Sequence, residues 1–248
     1  GYRMPRQKIV INLAPADIRK EGSSYDLTIA IGILAASHQL RKDKLDQYLI
    51  MGEVSLDGGL QPIKGALPIA IQARADGFKG LILPKANARE AAIVDDFEVL
   101  GVDTLKEVVQ FFNNEITLTP TTVDAKEEFL TKVSKYESDF ADVKGQENIK
   151  RALEIAAAGG HTVILLGPPG AGQTMLAKRF PSILPPLNLY EALDTTKIHS
   201  VAGKLAAADS LMTARPFRSP HHTISDVALV GGGTNPQPGE ISLAHNGV

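Results

Sequence analysis

The spacing of apolar and polar positions predicts an opening half made of short strands and buried helices. Residues 8–13 hold the β-branched side chains Ile9, Val10 and Ile11 and read as a strand. A polar loop at 19–24 separates them from the apolar, alanine-rich stretch 27–37, which has the continuous hydrophobicity of a buried helix. Residues 48–55 read as another strand, closed by a turn at Asp57-Gly58-Gly59. The stretch 66–76 is helical, with Pro68 tolerated in the first turn and Gly77 as a stop. Short strands at 80–83 and 98–102 flank a helix near 87–94. Thr104 and Glu107 stand three apart, as in a capping box, and open a helix running to Phe112.

The texture then changes. Residues 113–139 are polar, with a Thr-Pro-Thr-Thr cluster and one charged helical stretch near 124–135, and read as a linker. Beyond it the pattern predicts a helix at 146–158, an apolar strand at 162–166, a glycine-rich loop and a helix from Met175 to Arg179. Strands and helices alternate throughout, so the expected class is α/β. The expected division is an N-terminal domain at 1–115, a linker at 116–140 and a second domain at 141–248.

Composition narrows the picture. The 248 residues are 44% hydrophobic and 22% charged, as in a folded globular protein, and suffice for one large domain or two ordinary ones. A net charge of -2 gives no overall basic field for nucleic acid, although a local patch stays open. With no cysteine, disulfides, thiol catalysis and cysteine-ligated zinc are excluded. No apolar run approaches the roughly 20 residues of a membrane span, and no signal-peptide pattern opens the chain, so a cytoplasmic protein is expected. Both ends look cut, and the chain is read as a fragment.

The glycine loop carries the candidate chemistry. Gly167-Pro168-Pro169-Gly170-Ala171-Gly172-Gln173-Thr174 follows a strand-like run and opens a helix, the context of a phosphate-binding P-loop. Glycines let the backbone curl round a phosphate and aim N–H groups inward, and the helix start adds partial positive charge. Thr174 would offer its hydroxyl to Mg²⁺. One position departs from the pattern: Gln173 stands where the motif has lysine. A unit charge pair at about 4 Å is worth up to about 4 kcal/mol at an effective dielectric of 20. Its loss is expected to weaken triphosphate binding and remove transition-state stabilisation, while the backbone cradle remains.

Several longer motifs then fall in order: Asp142-Val143-Lys144-Gly145-Gln146, the P-loop, Thr196-Lys197-Ile198-His199-Ser200, the run from Arg215 through Arg218 to His221, His222 and Thr223, and the run from Gly239 to Gly247. Together with Asn12-Leu13-Ala14-Pro15-Ala16-Asp17 and the run from Gly52 to Gly58, they closely resemble the YifB/ComM family of magnesium-chelatase-related AAA+ ATPases, over essentially the whole chain. The resemblance implies an N-terminal Lon-protease-like (ribosomal S5-like) α/β domain followed by the first part of a P-loop AAA+ domain. It implies ATP or ADP with Mg²⁺ as ligands, a hexamer, and no membrane. It places Val143, Gly145 and Gln146 beside the adenine, and Gly167 to Met175 around the phosphates. ComM-type members are DNA helicases promoting branch migration in natural transformation, so DNA is the implied partner; chelatase relatives instead drive metal insertion, so a protein or cofactor client is the alternative. The family's acidic metal-coordinating strand would begin at Val248, and its sensor residues and arginine finger lie outside this sequence. The chain alone is therefore expected not to turn over ATP.

Two further readings attach to particular residues. Arg215 and Arg218 are read either as contacts to DNA phosphates in a hexamer pore or as subunit-interface residues. The adjacent His221 and His222 point different ways on regular structure and make a poor zinc pair. Residues 19–83 also resemble the Lon protease domain, with Ser24 in the nucleophile's place. Leu67 then falls where the activating lysine belongs, and Lys64 lies three residues earlier, so a Ser-Lys protease is disfavoured. Ser23 and Ser24 are expected to cap the following helix instead.

Overall fold

The computed structural model describes residues 2–6, 8–13, 23–131, 136, 138–206, 209–233 and 236–248. The chain divides into two compact units, residues 1–124 with 199–210, and residues 125–198 with 211–248.

The first unit contains α1 (Asp26–Ala36), β1 (Tyr48–Ile50), β2 (Glu53–Val54), β3 (Leu60–Gln61), α2 (Ala66–Ala75), β4 (Gly80–Pro84), α3 (Lys85–Ala91), β5 (Glu98–Val102) and α4 (Leu105–Phe112). Strands β1, β4 and β5 form a parallel sheet in that order, with Ile50, Ile82 and Leu100 in register. A parallel sheet is covered on both faces, and here the period of two along each strand decides which face each residue serves. Ile82, Leu100 and Val102 pack with Leu27 and Ile31 of α1 and Val108 and Phe112 of α4. Their neighbours Leu81, Leu83 and Val99 pack with Ala66 and Ala70 of α2 and Ala88 and Ala91 of α3. Every residue of β4 is buried, as its unbroken apolar run requires. The alanines on the second face let α3 approach closely: a Cβ on Gly101 would sit 2.7 Å from that of Ala88.

Several expectations are modified by pairing. Residues 8–13 form no sheet hydrogen bonds among the described residues, and Val10 is 77% exposed. β-Branched composition records fitness for a pleated, half-buried surface and cannot supply the neighbouring strand. The expected strand 48–55 breaks at Met51 and Gly52, where Gly52 exchanges backbone hydrogen bonds with α1's start: Leu27 N–H donates to Gly52 O (3.0 Å), and Gly52 N–H to Ser24 O (2.8 Å). The same contact displaces the expected serine cap. Ser23 to Tyr25 form a 3₁₀ turn, and Tyr25 stands at the N-cap of α1 without a side-chain hydrogen bond. At α4 the cap forms as expected, Thr104 Oγ1 accepting from Glu107 N–H (3.3 Å), while the Glu107 carboxylate reaches back to Asp103 N–H (2.9 Å). Within 113–124, Ile116 and Leu118 pack on one core and Val123 on the other, and Thr121 N–H donates to Val99 O. This contact uses a backbone acceptor that the edge strand β5 would otherwise leave unpaired.

The second unit contains α5 (Ala125–Thr131), α6 (Glu147–Gly159), α7 (Gln173–Arg179), α8 (Leu189–Val201), α9 (Asp226–Val230), β6 (Gly231–Gly232), β7 (Gln237–Pro238) and α10 (Glu240–Leu243), with the residues of α8 from His199 onward counted in the first unit. Its core gathers Phe140, Val143, Leu153 and Leu176, joined by Leu165, Phe180 and Ile183. Residues 162–166, expected as a strand, have no sheet partner among the described residues, and Ile164 is 80% and Leu166 91% exposed. A buried strand needs neighbours on both edges to satisfy its backbone, and here only Leu165 reaches the core. No helix among the described residues is long and apolar enough to cross a membrane. The Ala14 to Asp17 motif and residues 19–22 lie outside the described residues.

Candidate functional site

The glycine loop sits between Leu165, whose side chain is in the second unit's core, and Leu176 of α7, 2% exposed. These two anchors fix its ends. Between them Gly170 (φ +83°) and Gly172 (φ +88°) adopt left-handed conformations that a side chain would strain, and space around the missing Cβ of Gly170 is open to 4 Å. Ala171 N–H closes a turn on Pro168 O (3.1 Å), and Pro168 and Pro169 are exposed. Helix α7 starts at Gln173, directly after Gly172.

Residues 143–146 join the loop. Val143 is 1% exposed in the same core as Leu176, which holds the segment against α7. Gly145 (φ +71°) and Gln146 (φ +53°) then turn the chain into α6. A positive φ at a non-glycine residue is uncommon, and here it aims a side chain: Gln146 Nε2 donates to Ala171 O (3.2 Å). The structure therefore brings together residues 25 apart in sequence. An ion pair missed by the sequence reading supports the arrangement, Asp142 lying 3.5 Å from the Arg179 guanidinium at the end of α7. No spacing rule could have signalled that pair.

Gln173 folds back on its own loop. Its Nε2 donates to Gly167 O (3.2 Å) and, more weakly, to Leu165 O (3.4 Å). Thr174 and Met175 are exposed, and the Thr174 hydroxyl makes no hydrogen bond among the described residues. The loop thus offers what a nucleotide's phosphates and their Mg²⁺ require, a curled glycine backbone and an open hydroxyl, but no lysine at 173. Beside it a cavity of about 450 Å³ is lined by Leu153, Val163, Leu165, Phe180, Leu184 and Val248, among others. Val248 exchanges backbone hydrogen bonds with Pro216 O (2.8 Å) and Arg218 N–H (2.7 Å).

The other candidates are mostly engaged inside the fold. The Arg215 guanidinium donates to Pro185 O (2.6 Å) and Asn246 O (2.7 Å) and lies 3.5 Å from Glu191. Arg218 forms a two-pronged pair with Glu240 (2.5 and 2.6 Å), which raises the guanidinium's already high pKa through the hydrogen bond to the carboxylate. His221 and His222 are exposed with ring centroids 4.1 Å apart, and His221 Nδ1 meets Thr223 Oγ1 at 2.8 Å. Among the described residues no cluster of three or more His, Cys, Asp or Glu could hold a metal. Ser24 is half-buried, and no lysine hydrogen-bonds to it among the described residues. Leu67 is fully buried, and the Lys64 stem lies against Gly203.

Residues 139–248 match the family described as magnesium chelatase, subunit ChlI, and residues 1–87 that described as subunit ChlI of Mg-chelatase. Over its full length the chain is 47% identical to the uncharacterized protein YifB of Escherichia coli, covering 48% of that protein. It is 46% identical to competence protein ComM of Haemophilus influenzae, again covering 48%. The chain thus spans about half the length of these relatives. Lon protease 2 of Bacillus subtilis is 33% identical over 124 residues, 49% of this chain and 21% of that protein. The mixed α/β fold is accordingly a Lon-like part followed by the start of a AAA+ domain. On glycine loop, fold and identity together, the chain belongs to the YifB/ComM family of magnesium-chelatase-related proteins.

Proposed function

We propose that the chain is part of a hexameric AAA+ motor of the ComM type, acting on branched DNA in the cytoplasm, with residues 141–248 opening its ATPase domain and 1–115 forming its Lon-like domain. The observation carrying this reading is the glycine loop tied to residues 143–146 by the Gln146–Ala171 hydrogen bond. Val143, Gly145 and Gln146 would flank the base. Gly167, Pro168, Pro169, Gly170, Ala171, Gly172, Gln173 and Met175 would line the phosphates, and the Thr174 hydroxyl would meet Mg²⁺. ATP, when bound, supplies the phosphoanhydride whose hydrolysis drives motors of this kind. This chain's own loop would hold and orient the phosphates through backbone N–H groups. With glutamine at 173 it lacks the charge that favours transfer, so the chain holds nucleotide without turning it over.

The test is DNA-stimulated ATP hydrolysis by the full-length protein carrying Gln173→Lys, with branched duplex as stimulus. Stimulation above the unsubstituted protein supports the reading. Nucleotide binding without any response to DNA would remove the DNA assignment and leave a second reading, a chelatase-like ATPase remodelling a protein or cofactor client. One observation favours that alternative: Arg215 and Arg218, the basic residues considered for DNA phosphates, are engaged by internal partners. A Ser-Lys protease is the weakest reading, since Leu67 occupies the lysine's place; labelling of Ser24 by a serine-directed probe would revive it.

A further inference from the structure

The Gln173 side chain has two amide hydrogens and one acceptor oxygen. Nε2 directs its donors to two carbonyls of the loop itself, Gly167 O at 3.2 Å and Leu165 O at 3.4 Å. With these bonds made, the side chain's remaining polar atom is an oxygen, which repels a phosphate oxygen. Residue 173 therefore presents an approaching phosphate with neither charge nor a free donor. The Arg179 guanidinium, at the end of α7, lies 3.5 Å from Asp142 and donates through Nη1 to Met175 O at 3.4 Å, while its buried Nε makes no hydrogen bond among the described residues. The loop is braced at a second place by another neutral amide, Gln146 Nε2 on Ala171 O. Its shape is held by neutral side-chain donors, and the donors left on the loop itself are backbone N–H groups and the Thr174 hydroxyl.

Backbone N–H groups read the phosphates they touch, whereas a cation reads total charge at a distance. We propose that Gln173 makes this loop a holder of the nucleoside diphosphate moiety that does not register a third phosphate. The proposal rests on the nucleotide-site reading above and adds the state it recognises. Gln173 is then a specificity-determining residue, acting through what it withholds from the phosphates and through the brace it gives Gly167.

The experiment is calorimetric titration of the 248-residue chain, freed of nucleotide, with MgADP and with MgATP, beside the same titrations of Gln173→Lys. The chain is expected to bind both within about threefold of each other, and the lysine form to prefer MgATP by about tenfold or more, a preference that shrinks with added salt. A tenfold preference for MgATP in the unsubstituted chain, or an unchanged ratio in Gln173→Lys, would overturn the inference while leaving the nucleotide site in place. Failure of both forms to bind either nucleotide, with unaltered circular dichroism, would overturn the site reading itself. A second measurement reads the brace: Gln173→Leu keeps bulk but not the donors, and amide exchange across 165–173 is expected to speed up. Unchanged exchange there would show that the amide does not hold the loop.

Discussion

Replacing Glu90 by alanine tests a buried polar arrangement in the first unit. Glu90 lies on α3 and is 7% exposed. Its Oε1 accepts from Leu67 N–H at 3.0 Å and from the Ser200 hydroxyl at short range, and Asn87 Nδ2 lies 3.4 Å from Oε2. Leu67 is in the first turn of α2, whose N-cap is Gly65 and offers no side chain, so Glu90 supplies the cap from a distant helix. Alanine at 90 leaves the Leu67 N–H and the Ser200 hydroxyl without this partner, at about 1–3 kcal/mol each. A cavity of about 330 Å³ borders Glu90, Asn87 and Ser200, so water can enter and offset part of that loss. The lower half of the range applies, about 3 kcal/mol in all, a large share of the about 5–15 kcal/mol that holds a typical domain. With a urea slope of about 1.5–2 kcal/mol per molar, the unfolding midpoint should fall by about 1.5–2 M. Urea titration followed by circular dichroism reads the shift, and amide exchange in α2 assigns it to the first unit. Glu90→Gln keeps an acceptor and should lose about half as much. A midpoint within about 0.3 M of the parent for Glu90→Ala, or equal losses for both variants, would refute the capping account.

Three further outcomes follow. Arg218→Ala should lower stability by about 2–4 kcal/mol, with Lys giving little rescue because it cannot make the two-pronged contact to Glu240; melting temperatures check this, and an unchanged melt would return Arg218 to the pool of free phosphate contacts. Tyr48 is pushed above its ordinary pKa of 10.0 by burial and by the Glu98 carboxylate, and Lys79 is raised by its hydrogen bond to Tyr48 and then by Glu98. Both protons are held more tightly in the folded state, so their contribution is fully present below the unfolded pKa values and is lost as pH rises through the folded ones. Urea midpoints measured between about pH 8 and 11 should fall at the alkaline end, and Tyr48→Phe, starting from a lower plateau, should fall less steeply. Gly101→Ala should cost about 1–3 kcal/mol by forcing α3 off β5, since its Cβ would lie 2.7 Å from Ala88 Cβ and 3.2 Å from Lys85 Cα; a neutral result in urea would mean that α3 shifts freely.

The elements of the first unit were legible wherever local signals agreed. The apolar run became β4, the Thr104–Glu107 spacing became a formed cap, and the Ala-rich stretch became α1. The glycine loop was legible for the same reason: left-handed turns at Gly170 and Gly172 and a helix start at Gln173 are written in adjacent residues. Residues 8–13 and 162–166 were misread because a strand is completed by its neighbours, and β propensity says nothing about whether one arrives. Ser24 was misread as a cap because Gly52, 28 residues on, binds the same turn.

Sequence by itself determined the family, the α/β alternation, the cradle and the absence of lysine at 173, since each depends on residue identity within a short window. Tertiary structure decided where the polar groups spend their hydrogen bonds. It gave Glu90 to Leu67 and Ser200, Arg218 to Glu240, Gln146 to Ala171, and Gln173 to the loop it belongs to. A charged or amide side chain has several partners within reach in an unfolded chain, and only the packed backbone selects among them. The motif thus announces a glycine loop at a helix start, and the packed backbone decides which partners its side chains take.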